Sequence, residues 1–82
     1  MDVTLTAKHA LFDPPLARRG NYVQFNVMNT TSSRRTFTMA GRRIVIPARA
    51  RRLMAIEFDI RGKYRYVSRA GSSRIVGVFR VV

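Results

Sequence analysis

The chain has 82 residues, of which 46% are hydrophobic, 16 are Lys or Arg and 4 are Asp or Glu, so that its formal net charge is +12. This length leaves room for one domain, placed over residues 1–82, and the apolar share excludes a charge-driven disordered tail. With no cysteine and one histidine, the chain has no residues for a disulfide, a thiolate nucleophile or a cysteine-ligated metal site.

The positive charge is far larger than solubility requires, and it opposes compaction through self-repulsion. An anionic partner would offset it, such as nucleic acid, an acidic protein surface or anionic lipid headgroups. Arginine accounts for 14 of the 16 basic residues, and its planar guanidinium pairs bidentately with carboxylate and phosphate. Biased codon usage would give the same excess, so both explanations stay open.

The pattern along the chain is typical of a β-sandwich or β-barrel, because apolar residues recur with period two and turn residues arrive at short intervals. The first strand alternates over residues 3–7, and a strand or bulged edge ends at Asp13, before two prolines. The next strand covers residues 22–27. Its alternate residues share one apolar face, which we expect to be core: Val23, Phe25 and Val27.

Short strands joined by short loops continue to the end of the chain. Five more are predicted, at residues 36–39, 43–46, 52–58, 63–67 and 75–82. The strand over residues 52–58 has a clear inward face, formed by Met54, Ile56 and Phe58. The sequence therefore predicts about seven strands in all. No apolar run approaches the ~20 residues that cross a membrane, so we expect a soluble chain.

Several short motifs follow one another in a characteristic order. Residues 3–8 precede a Phe-Asp-Pro bend at 12–14, and residues 20–25 read Gly-Asn-Tyr-Val-Gln-Phe. A Thr-Phe-Thr segment at 36–38 and Gly-Lys-Tyr-Arg-Tyr-Val at 62–67 come before a terminal strand containing Gly77 and Val81-Val82. These motifs resemble those of the cupredoxins, the family that includes plastocyanin-like and amicyanin-like copper proteins. The resemblance implies an all-β, cupredoxin-like Greek-key β-sandwich over nearly the whole chain.

The copper ligands of that family are missing at the positions that the resemblance implies. Cupredoxins hold copper through two histidines, a cysteine and usually an axial methionine. Here the first histidine position falls at Arg35, the cysteine position at Ser68, the second histidine position near Ser72, and the methionine position near Ile75 or Val76. A serine hydroxyl does not replace a thiolate, and an arginine repels a cation. We therefore expect the fold without its electron-transfer activity, and no metal or cofactor.

The resemblance also implies a place for the charge, because cupredoxins commonly meet their redox partners through the copper end. Seven arginines fall in the loops and strand ends expected there: Arg34, Arg35, Arg49, Arg51, Arg52, Arg69 and Arg74. We expect them to dock on an acidic protein surface or on a larger complex, whether soluble or membrane-bound. The family resemblance implies an extracytoplasmic location, whereas Met1 as the native start would imply the cytoplasm.

Other residue patterns favour structural roles. Tyr64 and Tyr66 alternate with basic residues and could stack on bases, but they share a face with Ser68, which favours core packing. No serine has a base in a recognisable arrangement, and no small-molecule substrate is evident. We therefore expect a non-catalytic accessory or assembly subunit. The alternatives are a small basic nucleic-acid-binding protein and an atypical redox or copper protein.

Overall fold

The computed structural model describes all residues, 1–82, and contains nine β-strands and no helix. The strands are β1 (Asp2–Leu5), β2 (Ala10–Asp13), β3 (Leu16–Ala17), β4 (Tyr22–Asn29), β5 (Arg35–Met39), β6 (Arg42–Ile46), β7 (Arg51–Glu57), β8 (Gly62–Ala70) and β9 (Ser73–Val81). The all-β prediction is confirmed. Each of the seven predicted strands is present with shifted ends, and the additional strands are β2 and β3.

The strands form two mixed sheets whose inner faces enclose one core. A four-stranded sheet has the order β2-β1-β4-β7, and a five-stranded sheet has the order β3-β9-β8-β5-β6. Two pairings are parallel, β1 with β4 and β3 with β9, and the remaining pairings are antiparallel. The architecture is therefore consistent with a β-sandwich.

The two additional strands lie on either side of the proline pair. β2 runs back along β1, with Phe12 opposite Val3, after a turn in which Thr6 Oγ1 accepts from the backbone N–H of His9 at 3.0 Å. The prolines end β2, because proline lacks the N–H that the ladder needs. The chain then crosses to the other sheet, where β3 pairs with the end of β9. The segment before and after the prolines thus contributes one edge strand to each sheet.

Aromatic rings fill the centre of the core. Phe12 reaches in from β2, with ring centroids 5.0 Å from those of both Phe79 and Tyr66. Phe25 meets Phe79 and Phe58 edge-on, at 5.6 and 6.1 Å. Each fully buried ring stabilises the fold by roughly 1.5–3 kcal/mol. The predicted inward faces are confirmed, because Val23, Phe25, Val27, Met54, Ile56 and Phe58 are all buried.

The tyrosines of β8 belong to this core, as the strand alternation predicted. Tyr66 stacks on Phe37 with centroids 5.9 Å apart, and Tyr64 meets Phe58 at 5.0 Å. The hydroxyl of Tyr64 donates a hydrogen bond to the carbonyl of Ile60. Burial raises the pKa of Tyr66, because a phenolate is poorly solvated in the interior. These rings are therefore structural and do not form a base-stacking platform.

We expect Gly77→Ala to destabilise the protein by about 1–3 kcal/mol, because a Cβ at this position would overlap the phenol ring of Tyr66 on the neighbouring strand. Urea unfolding measures the loss. In a Tyr66→Leu background, which removes the ring, the same glycine substitution should cost much less. An equal cost in both backgrounds would contradict this packing.

The raised pKa of Tyr66 also predicts a pH dependence. The folded protein holds the phenol proton of Tyr66 more tightly than the unfolded chain does. The contribution of the protonated phenol to the free energy of unfolding is therefore fully present below pH 10.0, the ordinary tyrosine pKa, and is lost as pH rises above it. Urea unfolding of the wild type and Tyr66→Phe across this range should show the wild type losing stability relative to the variant. A constant difference would show that Tyr66 titrates alike in both states.

Candidate functional site

Four loops, two of which carry an arginine of the predicted docking set, meet at one end of the sandwich, which we call the loop end. β1 and β4 both finish there, with Leu5 beside Asn29, and β7 begins there, with Arg51 opposite Met28. The backbone N–H of Arg49 donates to the carbonyl of Thr31 at 3.2 Å and so joins two of the loops. The loops are the β1–β2 connection at 6–9, the β4–β5 loop at 30–34, the β6–β7 connection at 47–50 and the β8–β9 turn at 71–72.

Asn29 fixes this end. It is fully buried, and its side-chain amide donates to the carbonyls of Ser33, Ile46 and Pro47 at 2.8, 3.1 and 3.2 Å. Its Oδ1 accepts from the backbone N–H and the hydroxyl of Thr31 at 3.0 and 2.7 Å. The β4–β5 loop and the β6–β7 connection are therefore held together by one side chain. The sequence analysis did not single out Asn29, since three of its partners are backbone carbonyls, which no residue pattern marks.

Arg35 is not part of the surface, contrary to the expectation that it docks on a partner. It is 3% exposed, and its Nε donates to the Oγ of Ser68 at 3.1 Å, while its Nη2 is buried without a hydrogen-bond partner. The reason is strand alternation, because Arg35 shares the inward face of β5 with Phe37 and Met39. A buried guanidinium without a carboxylate carries an uncompensated desolvation cost.

The other positions that the resemblance assigns to copper ligands separate into inner and outer ones. Ile75 lies opposite Ser68 and is 8% exposed, whereas Val76 is 43% exposed on the outer face. Ser72 is exposed in the two-residue turn between β8 and β9. Arg35, Ser68 and Ile75 therefore belong to one inner region that leaves out Ser72 and Val76.

These inner residues do not fit copper. A guanidinium offers only hydrogen-bond donors and carries its own positive charge, and neither serine nor isoleucine is a ligand that copper prefers. Elsewhere in the molecule, no three His, Cys, Asp or Glu side chains lie close enough together to hold a metal ion.

The six remaining arginines of the predicted docking set divide among three places. Arg34, Arg49 and Arg52 lie at the loop end itself, joined there by Lys8 of the β1–β2 connection. Arg51 faces outward on the four-stranded sheet, where it lines a groove with Asp2, Thr4, Asn26 and Met28. Arg69 and Arg74 pair across the β8–β9 hairpin on the outer face of the five-stranded sheet. The set is thus brought to one end but spread over several surfaces.

The outer face of the five-stranded sheet carries a larger group of cations, which we call the cationic face. Strand alternation directs six exposed basic side chains outward there: Arg43, Lys63, Arg65, Arg69, Arg74 and Arg80. No acidic residue lies in the strands of this sheet. Sequence reasoning missed this face, although the alternation of basic residues with Tyr64, Tyr66 and Ser68 was a signal for it.

The four acidic residues lie elsewhere. Asp2, Asp13 and Glu57 are exposed in strands of the four-stranded sheet, and Asp59 follows β7 at the end opposite the loop end. The loop end and the cationic face therefore carry no acidic side chain, and an approaching partner meets a surface of one sign at both.

The chain matches no known protein-family model, and no curated protein is significantly similar to it. No helix of the structure is both long and apolar enough to cross a membrane.

The contact between Arg35 and Ser68 predicts a coupled effect on stability. Ser68→Ala should lower the free energy of unfolding by about 1–3 kcal/mol, because the buried Nε of Arg35 loses its partner. In an Arg35→Met background, which keeps a long unbranched side chain and removes the charge, the same serine substitution should lower the free energy of unfolding much less. Urea unfolding of the four proteins gives the coupling energy, and a coupling of zero would contradict the contact.

Proposed function

We propose that this chain is a non-catalytic accessory subunit with a copper-free, cupredoxin-like Greek-key sandwich, and that it docks on an acidic protein, alone or within a larger complex. The observation that carries the proposal is the segregation of charge. Ten exposed basic residues lie at the loop end or on the adjoining cationic face, and no acidic residue lies at either place. A surface of one sign steers an oppositely charged partner and fixes its orientation.

The contact between Arg35 and Ser68 supports the cupredoxin-like arrangement. The resemblance places these two residues, 33 positions apart in the sequence, at ligand positions of one metal, and ligands of one metal must lie side by side in the fold. The hydrogen bond between them at 3.1 Å meets that requirement. The sheet order and the parallel pairing of β1 with β4 are compatible with the same topology. In this interpretation an internal cation occupies the region where the family holds copper.

The docking surface that we propose excludes Arg35 and keeps exposed arginines that can reach carboxylates. Arg34, Arg49 and Arg52 form its centre at the loop end, and Arg69 and Arg74 extend it onto the cationic face. Each guanidinium can pair bidentately with an Asp or Glu of the partner. Because the Asn29 hydrogen bonds fix two of the loops, part of the surface is organised before binding.

Nucleic acid is the alternative partner, favoured by the net charge of +12. Contacts to a phosphate backbone need only cations, but single strands also bind through aromatic stacking. The strongly exposed ring is Tyr22, 72% exposed, and it lies opposite Glu57 on the four-stranded sheet, away from the cationic face. The structure thus offers charge for nucleic acid without a stacking platform. The second alternative, an atypical copper or redox protein, is not favoured, because Arg35, Ser68 and Ile75 do not form a set of copper ligands.

Two triple variants test the docking surface, and each lowers the net charge of +12 by three. Arg34→Ser/Arg49→Ser/Arg52→Ser should weaken binding of poly-L-glutamate and flatten its salt dependence, because the centre of the surface is removed. Arg18→Ser/Arg19→Ser/Arg61→Ser, at the opposite end, should have a much smaller effect. Fluorescence anisotropy at several salt concentrations measures both.

Equal losses in the two variants would show that only total charge matters and would contradict the docking surface. A short mixed-sequence DNA duplex serves as the competing probe. Affinity for the duplex that exceeds the affinity for poly-L-glutamate at physiological salt, with a steep logarithmic salt slope, would favour the nucleic-acid alternative.

A further inference from the structure

A groove of about 380 Å³ lies on the cationic face and is lined by Thr36, Thr38, Arg43, Val67 and Arg69. The strand register explains how these residues meet. Arg43 on β6 lies opposite Thr38, and Arg69 on β8 lies opposite Thr36. Two threonines of the middle strand are therefore flanked by one arginine on each side.

The lining residues offer hydrogen-bond donors and positive charge, with no carboxylate among them. Arginine forks bind the oxygens of phosphate in pairs, and threonine hydroxyls can donate to a third oxygen. Other threonine hydroxyls are engaged within the protein, such as Thr30 Oγ1 donating to the Leu5 carbonyl at 2.7 Å. Those of Thr36 and Thr38 line the groove instead. This donor set suits a tetrahedral anion.

The neighbouring charges point in the same direction. Arg69 lies directly opposite Arg74 on β9, and like charges in directly opposed positions of a β-ladder repel each other. Val67 separates Arg69 from Arg65 along β8, so no anionic side chain interrupts the row. An anion bound in the groove beside Arg69 would reduce the repulsion between Arg69 and Arg74.

We propose that the groove binds a phosphate group, supplied by inorganic phosphate or by a small phosphate monoester. The four polar lining side chains contact the phosphate oxygens, and Val67 contacts the rest of a monoester. The groove shares Arg69 with the docking surface, but the loop-end arginines whose replacement tests docking, Arg34, Arg49 and Arg52, take no part in it. Its failure and the failure of the docking proposal can therefore be told apart.

Titration of ¹⁵N-labelled protein with sodium phosphate, at ionic strength held constant with NaCl, tests the site. The amide signals of Thr36 and Thr38 should shift saturably. Arg43→Gln/Arg69→Gln should raise the dissociation constant by about a hundredfold or more, because each of the two lost charge-assisted contacts costs roughly a factor of ten or more. Arg18→Gln/Arg19→Gln, with the same net charge, should leave it nearly unchanged. Equal weakening in both double variants would overturn the proposal.

A second variant keeps every charge. Thr36→Val/Thr38→Val removes the two hydroxyls from a strand that tolerates valine, and it should weaken phosphate binding several-fold. Unchanged affinity would overturn the assignment of the groove. A parallel titration with glycerol 3-phosphate identifies the source of the phosphate group: tighter binding than inorganic phosphate supports a monoester, and weaker binding supports the free anion.

Discussion

Repulsion among the basic residues is the constraint on which the arrangement of this protein depends. A net charge of +12 on 82 residues opposes compaction, so the apolar core must hold the sheets together against it. The aromatic rings around Phe12, Phe25 and Phe79 supply much of that core. Because these rings fill the interior, every basic side chain except that of Arg35 is exposed, and strand alternation places six of them on the cationic face.

Arg35 is the exception to this separation, and it connects the fold to the proposed function. Its guanidinium lies inside the sandwich with Ser68 as its hydrogen-bond partner through Nε and with a buried Nη2 left unpaired. An apolar residue would remove the desolvation cost, so the position does not follow from stability alone. The β4–β5 loop, which precedes Arg35, is held in place by the hydrogen bonds of Asn29. The same hydrogen bonds position the loops that contain the exposed residues Arg34 and Arg49.

Sequence periodicity was sufficient for much of the fold. Alternation of apolar residues predicted the strands and the inward faces of β4 and β7, because a half-buried strand must alternate. It predicted a strand or bulged edge ending at Asp13 but not that β2 is a separate strand, because Leu11 and Asp13 are exposed and the burial of Phe12 depends on the opposite sheet. β3 is only two residues long and depends on its pairing with β9.

The site was harder to predict, since charge and alternation gave conflicting signals. Arg35 has the inward parity of Phe37, yet an arginine next to a loop is ordinarily exposed. The groove between Arg43 and Arg69 joins β5, β6 and β8, so it exists only once the strand order is known. The contact between Arg35 and Ser68 joins two positions that the family resemblance assigns to copper ligands, and no local residue pattern indicates it.

In both proposals the arrangement of the exposed arginines, beyond their total charge, creates sites for anions. Thermal unfolding of the wild-type protein in millimolar sodium phosphate, compared with NaCl at the same ionic strength, is a test that needs no variant. A ligand that binds only the folded state raises Tm in a saturable way. We therefore predict a higher Tm in phosphate that levels off with concentration. Equal Tm values in the two salts at every ionic strength would contradict the claim.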